Sequence, residues 1–91
     1  MAMAVRRRVV VHGRVQGVFF RDSCERLARS NGVSGWVRNR NDGAVEAVFE
    51  GESDSVDRMV TWSRQGPRRA YVERVEVVDE DPVGESGFRV R

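Results

Sequence analysis

The chain has 91 residues, 16 basic and 14 acidic side chains, a net charge of +2 and 40% hydrophobic residues. This length and composition predict one globular domain, residues 1–91, and the mixing of basic with acidic residues gives no reason to expect a nucleic-acid partner. No apolar run approaches a membrane span and the amino terminus does not resemble a secretory signal, so we expect a cytoplasmic protein without membrane association.

The first strand and the first helix follow from hydrophobic periodicity. Residues 5–12 alternate, which predicts a strand with one face formed by Val5, Val9 and Val11. Residues 20–30 carry apolar side chains at helical spacing, so we expect a helix whose core-facing stripe is formed by positions 20, 24, 27 and 28. Gly32 ends this helix because glycine readily adopts the left-handed conformation after a C-terminus. Cys24, the single cysteine, is expected to be a small buried hydrophobe rather than a reactive thiol, and it permits no internal disulfide.

A β-hairpin is predicted after the first helix. Residues 33–40 and 44–50 form its strands, and the segment Asn41-Asp42-Gly43 joins them, because its central residues accept positive φ. The second of these strands alternates acidic residues with apolar ones, namely Val45, Ala47 and Phe49. Gly51 is expected to end this strand.

A second helix is predicted beyond Gly51. Ser53 or Asp54 is expected to cap it, since hydroxyl and carboxylate oxygens accept the free N–H groups of a first helical turn. The helix extends to residue 64 and has one buried side, formed by Val56, Met59, Val60 and Ser63. The segment Gln65-Gly66-Pro67 ends it.

Two strands complete the chain. Residues 71–78 predict a strand with an irregular pattern, because Val72 falls on the face opposite to Val75 unless a bulge intervenes. The segment Asp79-Glu80-Asp81-Pro82 is expected to form a turn or loop, and its three carboxylates are expected to be solvated rather than to bind a cation. Residues 87–91 predict a short terminal strand.

The order of these elements, βαββαβ plus a short C-terminal strand, predicts the fold class. Each βαβ crossover is right-handed, which puts both helices on one face of a mostly antiparallel sheet. This arrangement is an α+β fold, the ferredoxin-like split βαβ sandwich. The expected strand order is 4-1-3-2, in which the third strand lies antiparallel between the first and the second.

The turn from Gly13 to Arg21 joins the first strand to the first helix and contains two glycines. Such a turn directs several backbone N–H groups to one point at the positive end of a helix, which is typical of anion binding, and of phosphate above all. Arg21 lies in the first helical turn, where a cation opposes the helix dipole. Either Arg21 pairs on the surface with Asp22 or Glu25, or it is a ligand to a bound anion.

Two motifs resemble the signatures of the acylphosphatase family. Residues 13–21 match Gly-Arg-Val-Gln-Gly-Val-x-Phe-Arg without a departure. The second signature is Gly-Trp-Val-x-Asn-x-x-x-Gly-x-Val with a later glycine, and it is matched by Gly35, Trp36, Val37, Asn39, Gly43, Val45 and Gly51. The resemblance extends over nearly the whole chain. It implies the same ferredoxin-like fold and the hydrolysis of the carboxyl–phosphate anhydride bond of small acyl phosphates.

The resemblance also implies a role for individual residues. The phosphoryl group would be held by the side chain of Arg21 and by backbone N–H groups of Val15, Gln16, Gly17, Val18, Phe19 and Phe20. Asn39 would orient the attacking water in line with the bond to the carboxylate leaving group. Inorganic phosphate or sulfate would compete for this site. No metal and no other cofactor are implied, and we expect a monomer.

Other readings of the same residues predict other functions. The main alternative is a non-catalytic anion-binding or regulatory module on the same fold, although this chain retains both Arg21 and Asn39. An RNA-binding sheet would need exposed aromatic residues on the first and third strands, and the first strand has none. No motif assigns a role to His12, the only histidine, so we do not expect it to be a catalytic base. Trp36 has the parity opposite to Asn39, and we expect its ring to be exposed.

Overall fold

The structure is a computed structural model that describes residues 4–91. Its elements in chain order are β1 (Ala4–Arg14), α1 (Phe20–Ser30), β2 (Ser34–Asn39), β3 (Val45–Glu52), α2 (Ser53–Ser63), β4 (Tyr71–Glu80) and β5 (Phe88–Val90). Neither of these two helices within residues 4–91 has the length and the apolar content needed to span a membrane.

The strands form one sheet in the order β4-β1-β3-β2-β5. β3 runs antiparallel to both β1 and β2, and β4 runs antiparallel to β1. β5 lies parallel to β2 at the far edge of the sheet. The predicted α+β class and the predicted order 4-1-3-2 are therefore confirmed, with the short last strand added beside the second.

The hydrophobic core lies between the two helices and one face of the sheet. β1 contributes Val9 and Val11, which are fully buried as their alternation predicts. α1 contributes Phe20, Cys24 and Ala28, and α2 contributes its predicted side, formed by Val56, Met59, Val60 and Ser63. Burial raises the pKa of the Cys24 thiol well above its usual range, so this side chain packs as a hydrophobe and is not reactive.

The opposite face of the sheet is covered by charged side chains rather than by a helix. Trp36 lies there, but only 6% of its surface is exposed, so the expectation of an exposed ring is wrong. The reason is that guanidinium groups lie over the indole, with the Cζ of Arg91 4.4 Å and the Cζ of Arg8 5.5 Å from its centroid. Arg8 in turn donates a hydrogen bond to Glu46 at 2.6 Å, which ties this cluster to β3.

Glu50, on the same face, holds the loop between β4 and β5. Its carboxylate accepts backbone N–H groups from Val83, Gly84 and Glu85 at 2.8–3.0 Å and pairs with Arg6 at 3.2 Å. Burial by itself raises the pKa of Glu50, but these hydrogen bonds outweigh it and hold that pKa below its ordinary value. Because β4 and β5 lie at opposite edges of the sheet, this loop must cross it, and Glu50 fastens the crossing.

A bulge interrupts the pairing of β1 with β4. His12 pairs with Arg74 and Gly13 pairs with Val72, so Glu73 is the extra residue. The bulge resolves the irregular pattern of β4, because it lets both Val72 and Val75 pack against the core. It also explains Gly13, whose φ is +130°: a Cβ there would lie 2.1 Å from the carbonyl oxygen of Tyr71.

β1 is longer than the predicted residues 5–12, and this extends its neighbours. Gly51 does not end β3, because it pairs with Val5 and the strand continues to Glu52. Asp79 and Glu80 are not part of a loop, because both remain in the ladder with β1. Only residues 81–87 form the connection between β4 and β5.

The start of α2 also differs from the prediction. The helix begins at Ser53 itself, and its N-cap is Glu52, which follows directly from β3 in an extended conformation. No side chain caps the helix, so neither Ser53 nor Asp54 has the predicted role. The end is as expected: Gly66 has φ +71° and donates its N–H to the carbonyl of Trp62 at 2.7 Å.

Candidate active site

A pocket of about 380 Å³ lies where the carboxyl ends of β1 and β2 meet the start of α1. β1 and β2 are parallel with β3 between them, so both strands end at the same edge of the sheet. The lining residues come from the β1–α1 loop, from α1, from β2 and from β5: Val15, Gly17, Phe19, Phe20, Arg21, Asp22, Asn39 and Val90.

The loop between β1 and α1 contains two left-handed residues. Gly17 has φ +73° and Phe19, the N-cap of α1, has φ +65°. A Cβ on Gly17 would meet no protein atom within 4 Å, so the conformation rather than crowding requires glycine in the free protein. The first intrahelical bond runs from the N–H of Ser23 to the carbonyl of Phe19 at 3.1 Å, and no side chain caps the helix. The preceding N–H groups of the first turn are therefore available to an anion.

Arg21 borders this pocket and makes no ion pair with an Asp or Glu side chain of residues 4–91. Asp22 lies near Arg26 at 3.8 Å and Glu25 pairs with Arg29 at 3.3 Å, so the surface pairing of Arg21 with either acid is not what the structure has. Within the described residues its guanidinium makes one hydrogen bond, a long one of 3.5 Å from Nη1 to a main-chain oxygen of Arg91, the last residue of the sequence.

Asn39 borders the same pocket from the end of β2. It is half-buried and shares its side of the strand with Val37, which is fully buried beneath the helices. Residues 41–43 then turn the chain into β3: Gly43 donates its N–H to the carbonyl of Arg40 at 3.2 Å. Only Gly43 in this segment has positive φ (+92°), so Asn41 and Asp42 do not adopt the left-handed conformation, and the connection is a three-residue loop.

Gln16 connects the two halves of the site. Its Nε2 donates hydrogen bonds to the carbonyl of Arg40 at 2.8 Å and to the carbonyl of Ala44 at 3.0 Å. Both acceptors belong to the hairpin that carries Asn39. The β1–α1 loop is therefore held at a set distance from the end of β2 by a side chain rather than by the backbone.

The predicted residues do not all line the pocket. Val15, Gly17, Phe19 and Phe20 do, whereas the side chain of Gln16 contacts the hairpin and that of Val18 is buried in the core. The prediction for Gln16 and Val18 concerns their backbone N–H groups and stays a prediction. His12 lies outside: its Nε2 is 2.5 Å from a carboxylate oxygen of Glu76 on β4. Arg14 is exposed on the β4 side of β1. In the part of the chain that the structure describes, no three His, Cys, Asp or Glu side chains are grouped as a metal site.

Two features of the pocket were not predicted from the sequence. Val90 reaches it only because β5 pairs with β2, a contact between residues that lie about 50 positions apart in the chain. The side chain of Phe19 is 67% exposed at the pocket, whereas the motif directs attention only to its backbone N–H. The one signal in the sequence that could have identified the Phe19 side chain is that an aromatic residue lies in a glycine-containing turn.

Comparisons with known proteins agree with this geometry. A family model described as Acylphosphatase matches residues 7–90. An acylphosphatase of Rubrobacter xylanophilus is 60% identical over 86 residues, 92% of this chain and 77% of that protein. An acylphosphatase of Gloeobacter violaceus is 52% identical over 90 residues, 99% of this chain and 97% of that protein. The solved structure of an acylphosphatase from Coxiella burnetii superposes with a TM-score of 0.92 at 40% identity, covering 97% of this chain and 93% of that one.

Proposed function

We propose that this chain, which belongs to the acylphosphatase family, hydrolyses small acyl phosphates by in-line attack of a water that Asn39 orients. The observation that carries the proposal is that Arg21, Asn39 and the uncapped start of α1 border one pocket. Arg21 and Asn39 come from different elements, so their meeting is not a consequence of local sequence.

The phosphoryl group is bound by backbone donors and by Arg21. N–H groups of residues 15–20 surround its oxygens, at the positive end of α1. The guanidinium of Arg21, which has no Asp or Glu partner within residues 4–91, donates two parallel hydrogen bonds to two of those oxygens. The repulsion between Arg21 and the helix dipole becomes an attraction when the dianion is bound.

The side-chain amide of Asn39 accepts a hydrogen bond from water and directs its oxygen at phosphorus. The new bond joins the water oxygen to phosphorus, and the bond from phosphorus to the carboxylate oxygen breaks with its electron pair. The carboxylate is a weak base and leaves without a general acid. Both water protons remain with the phosphate, because one passes to a phosphoryl oxygen. A dianionic acyl phosphate and water thereby give a carboxylate and a phosphate monoanion.

Positioning and charge stabilisation therefore supply the catalysis, as is general for phosphoryl transfer through a loose transition state. No step in this mechanism uses a metal or another cofactor. Inorganic phosphate and sulfate compete for the same donors. We also propose that residues 1–91 act as one acylphosphatase-like domain and that the protein is a cytoplasmic monomer.

The test is hydrolysis of acetyl phosphate, with and without EDTA, by the wild type, Asn39→Ala and the matched control Asn41→Ala. Asn41 is exposed in the neighbouring loop and does not line the pocket. We expect EDTA-resistant turnover that Asn39→Ala lowers by roughly 10²- to 10³-fold, the loss typical of one preorganised group. Inhibition by inorganic phosphate should persist in Asn39→Ala, because the donors that bind phosphate remain.

Arg21→Gln separates binding from orientation. It should lower turnover by at least roughly 10²-fold and also weaken inhibition by phosphate, since a charged donor is lost in both states. Equal losses of turnover and phosphate binding in Asn39→Ala would contradict the role of Asn39 in orienting water. A wild type that binds phosphate but does not turn over would favour the alternative, an anion-binding module.

A further inference from the structure

The exposed position of the Phe19 side chain is required neither by the fold nor by the backbone N–H groups that would bind the phosphoryl group. It is 67% exposed at the edge of the pocket, although a phenyl ring gains by burial. Its backbone has φ +65°, the only positive φ of a non-glycine residue within residues 4–91. A bulky residue in this conformation is strained by about 1–3 kcal/mol, and such strain is concentrated at functional sites. Glycine at this position would relieve the strain and still supply the N–H group.

A second exposed apolar side chain borders the same pocket. Val90 is 40% exposed and comes from β5, the strand that pairs with β2 at the edge of the sheet. Val15 and Phe20, which are buried, complete the apolar part of the lining. The pocket thus combines the uncapped N-terminus of α1, which suits an anion, with solvent-exposed apolar side chains. This combination suits a ligand with one anionic and one apolar end.

The charged side chains of the pocket lining restrict the charge that the acyl group of the ligand can carry. Besides Arg21, which the phosphoryl group occupies in the proposed function, the ionisable side chain in the lining is Asp22. A second negative charge on the ligand would lie near this carboxylate and would have no cationic partner in the lining. The acyl group that fits is therefore uncharged.

We propose that the Phe19 side chain, together with Val90, forms a subsite for the acyl group and selects apolar acyl phosphates, aromatic or branched aliphatic. This inference rests on the proposed function, because it takes the phosphoryl end to be held by the backbone and Arg21. The acyl group then covers the exposed ring of Phe19, by offset stacking if it is aromatic. In this proposal the strained backbone of Phe19 serves substrate selection, because it holds the ring where the acyl group binds, and does not serve the fold.

The experiment compares benzoyl phosphate with acetyl phosphate, which share the phosphoryl group and differ in apolar surface. The quantity measured is the ratio of kcat/KM for benzoyl phosphate to kcat/KM for acetyl phosphate. Phe19→Ala should lower this ratio about tenfold, near the lower limit of what apolar contacts in a pocket contribute to selectivity. The matched control is Tyr71→Ala, which removes an aromatic ring of equal exposure (66%) outside the pocket and should leave the ratio unchanged.

Phe19→Asn serves as the second variant, since asparagine tolerates the left-handed conformation and removes the apolar ring. It should lower the ratio as Phe19→Ala does, and the wild type should prefer benzoyl phosphate to succinyl phosphate, whose acyl group is anionic. An unchanged ratio in both Phe19 variants, or an equal change in Tyr71→Ala, would overturn the subsite. Failure of the wild type to hydrolyse any of the three substrates would instead overturn the proposed function.

Discussion

The contact between Gln16 and the β2–β3 hairpin allows a sharp test of preorganisation. Gln16→Met keeps the length and volume of the side chain but removes the Nε2 donor. The two carbonyl oxygens that lose it, those of Arg40 and Ala44, retain other donors: the N–H of Gly43 at 3.2 Å and the N–H of Arg40 at 2.8 Å. Neither carbonyl oxygen is left without a hydrogen-bond donor, so the substitution removes two neutral hydrogen bonds and little else.

The expected loss of stability follows from that count. Two neutral hydrogen bonds at about 0.5–1.5 kcal/mol each make about 1–3 kcal/mol of unfolding free energy. The effect on rate has a different origin: Gln16 holds the loop that carries the backbone donors against the hairpin that carries Asn39. Because a misplacement of roughly 1 Å can cost roughly 10²-fold in rate, we expect kcat to fall by roughly 10- to 100-fold.

The assay measures kcat and KM with acetyl phosphate, the inhibition constant of inorganic phosphate, and urea unfolding, all well below the melting temperature of the variant. Gln65→Ala, an exposed glutamine in the turn after α2, is the control and should change none of them. A loss of unfolding free energy with kcat and KM unchanged would refute the reasoning, because the contact would then serve the fold alone. No change in either quantity would show that the two hydrogen bonds contribute nothing in solution.

Two further predictions concern charge. Glu50→Gln should lower the unfolding free energy at pH 7 by about 1.5–3 kcal/mol, since the N–H groups of the loop lose a charged acceptor, whereas Arg6 keeps Glu80 and Glu85 as partners; urea unfolding of this variant beside the exposed Glu52→Gln measures it. Because the folded pKa of Glu50 is lowered, this difference is full above the ordinary glutamate value of 4.5 and shrinks as the pH falls below it, and a difference that grew on acidification would contradict the assignment. The kcat for acetyl phosphate should be nearly flat from roughly pH 5 to 8, because His12 pairs with Glu76 away from the pocket, and a step near a histidine pKa of roughly 6.5 would count against the mechanism.

α2 and β4 show how far local sequence predicts the fold. The buried side of α2 is the one that helical spacing predicts, because the period of a helix depends only on neighbouring residues. In β4 the pattern leaves two possibilities for Val72, and the bulge that decides between them depends on the close approach of Gly13 from β1. The predicted ends of β3 and β4 are wrong because they too depend on a partner strand. Gly51 and Glu80 continue their strands because β1 extends beside them.

The pocket could be predicted in part because its residues carry motifs. Arg21 and Asn39 belong to two signatures, and the parallel arrangement of β1 and β2 in a split βαβ fold puts the ends of both strands at one edge. Val90 belongs to no motif, and only the pairing of β5 with β2 brings it to the pocket. The contact of the Gln16 side chain is equally invisible, because its partners are backbone carbonyls that any residue would supply.

By itself the sequence determined the helices, most of the alternating faces, the conformation of the turn before α1 and the two motifs that lead to the pocket. Only the tertiary structure decided that Trp36 is covered by arginines and that Glu50 is buried beneath a loop. The physical reason is that periodicity states which side chains share a face of an element. What covers that face depends on residues distant in the chain, whose approach is set by the packing of the whole sheet.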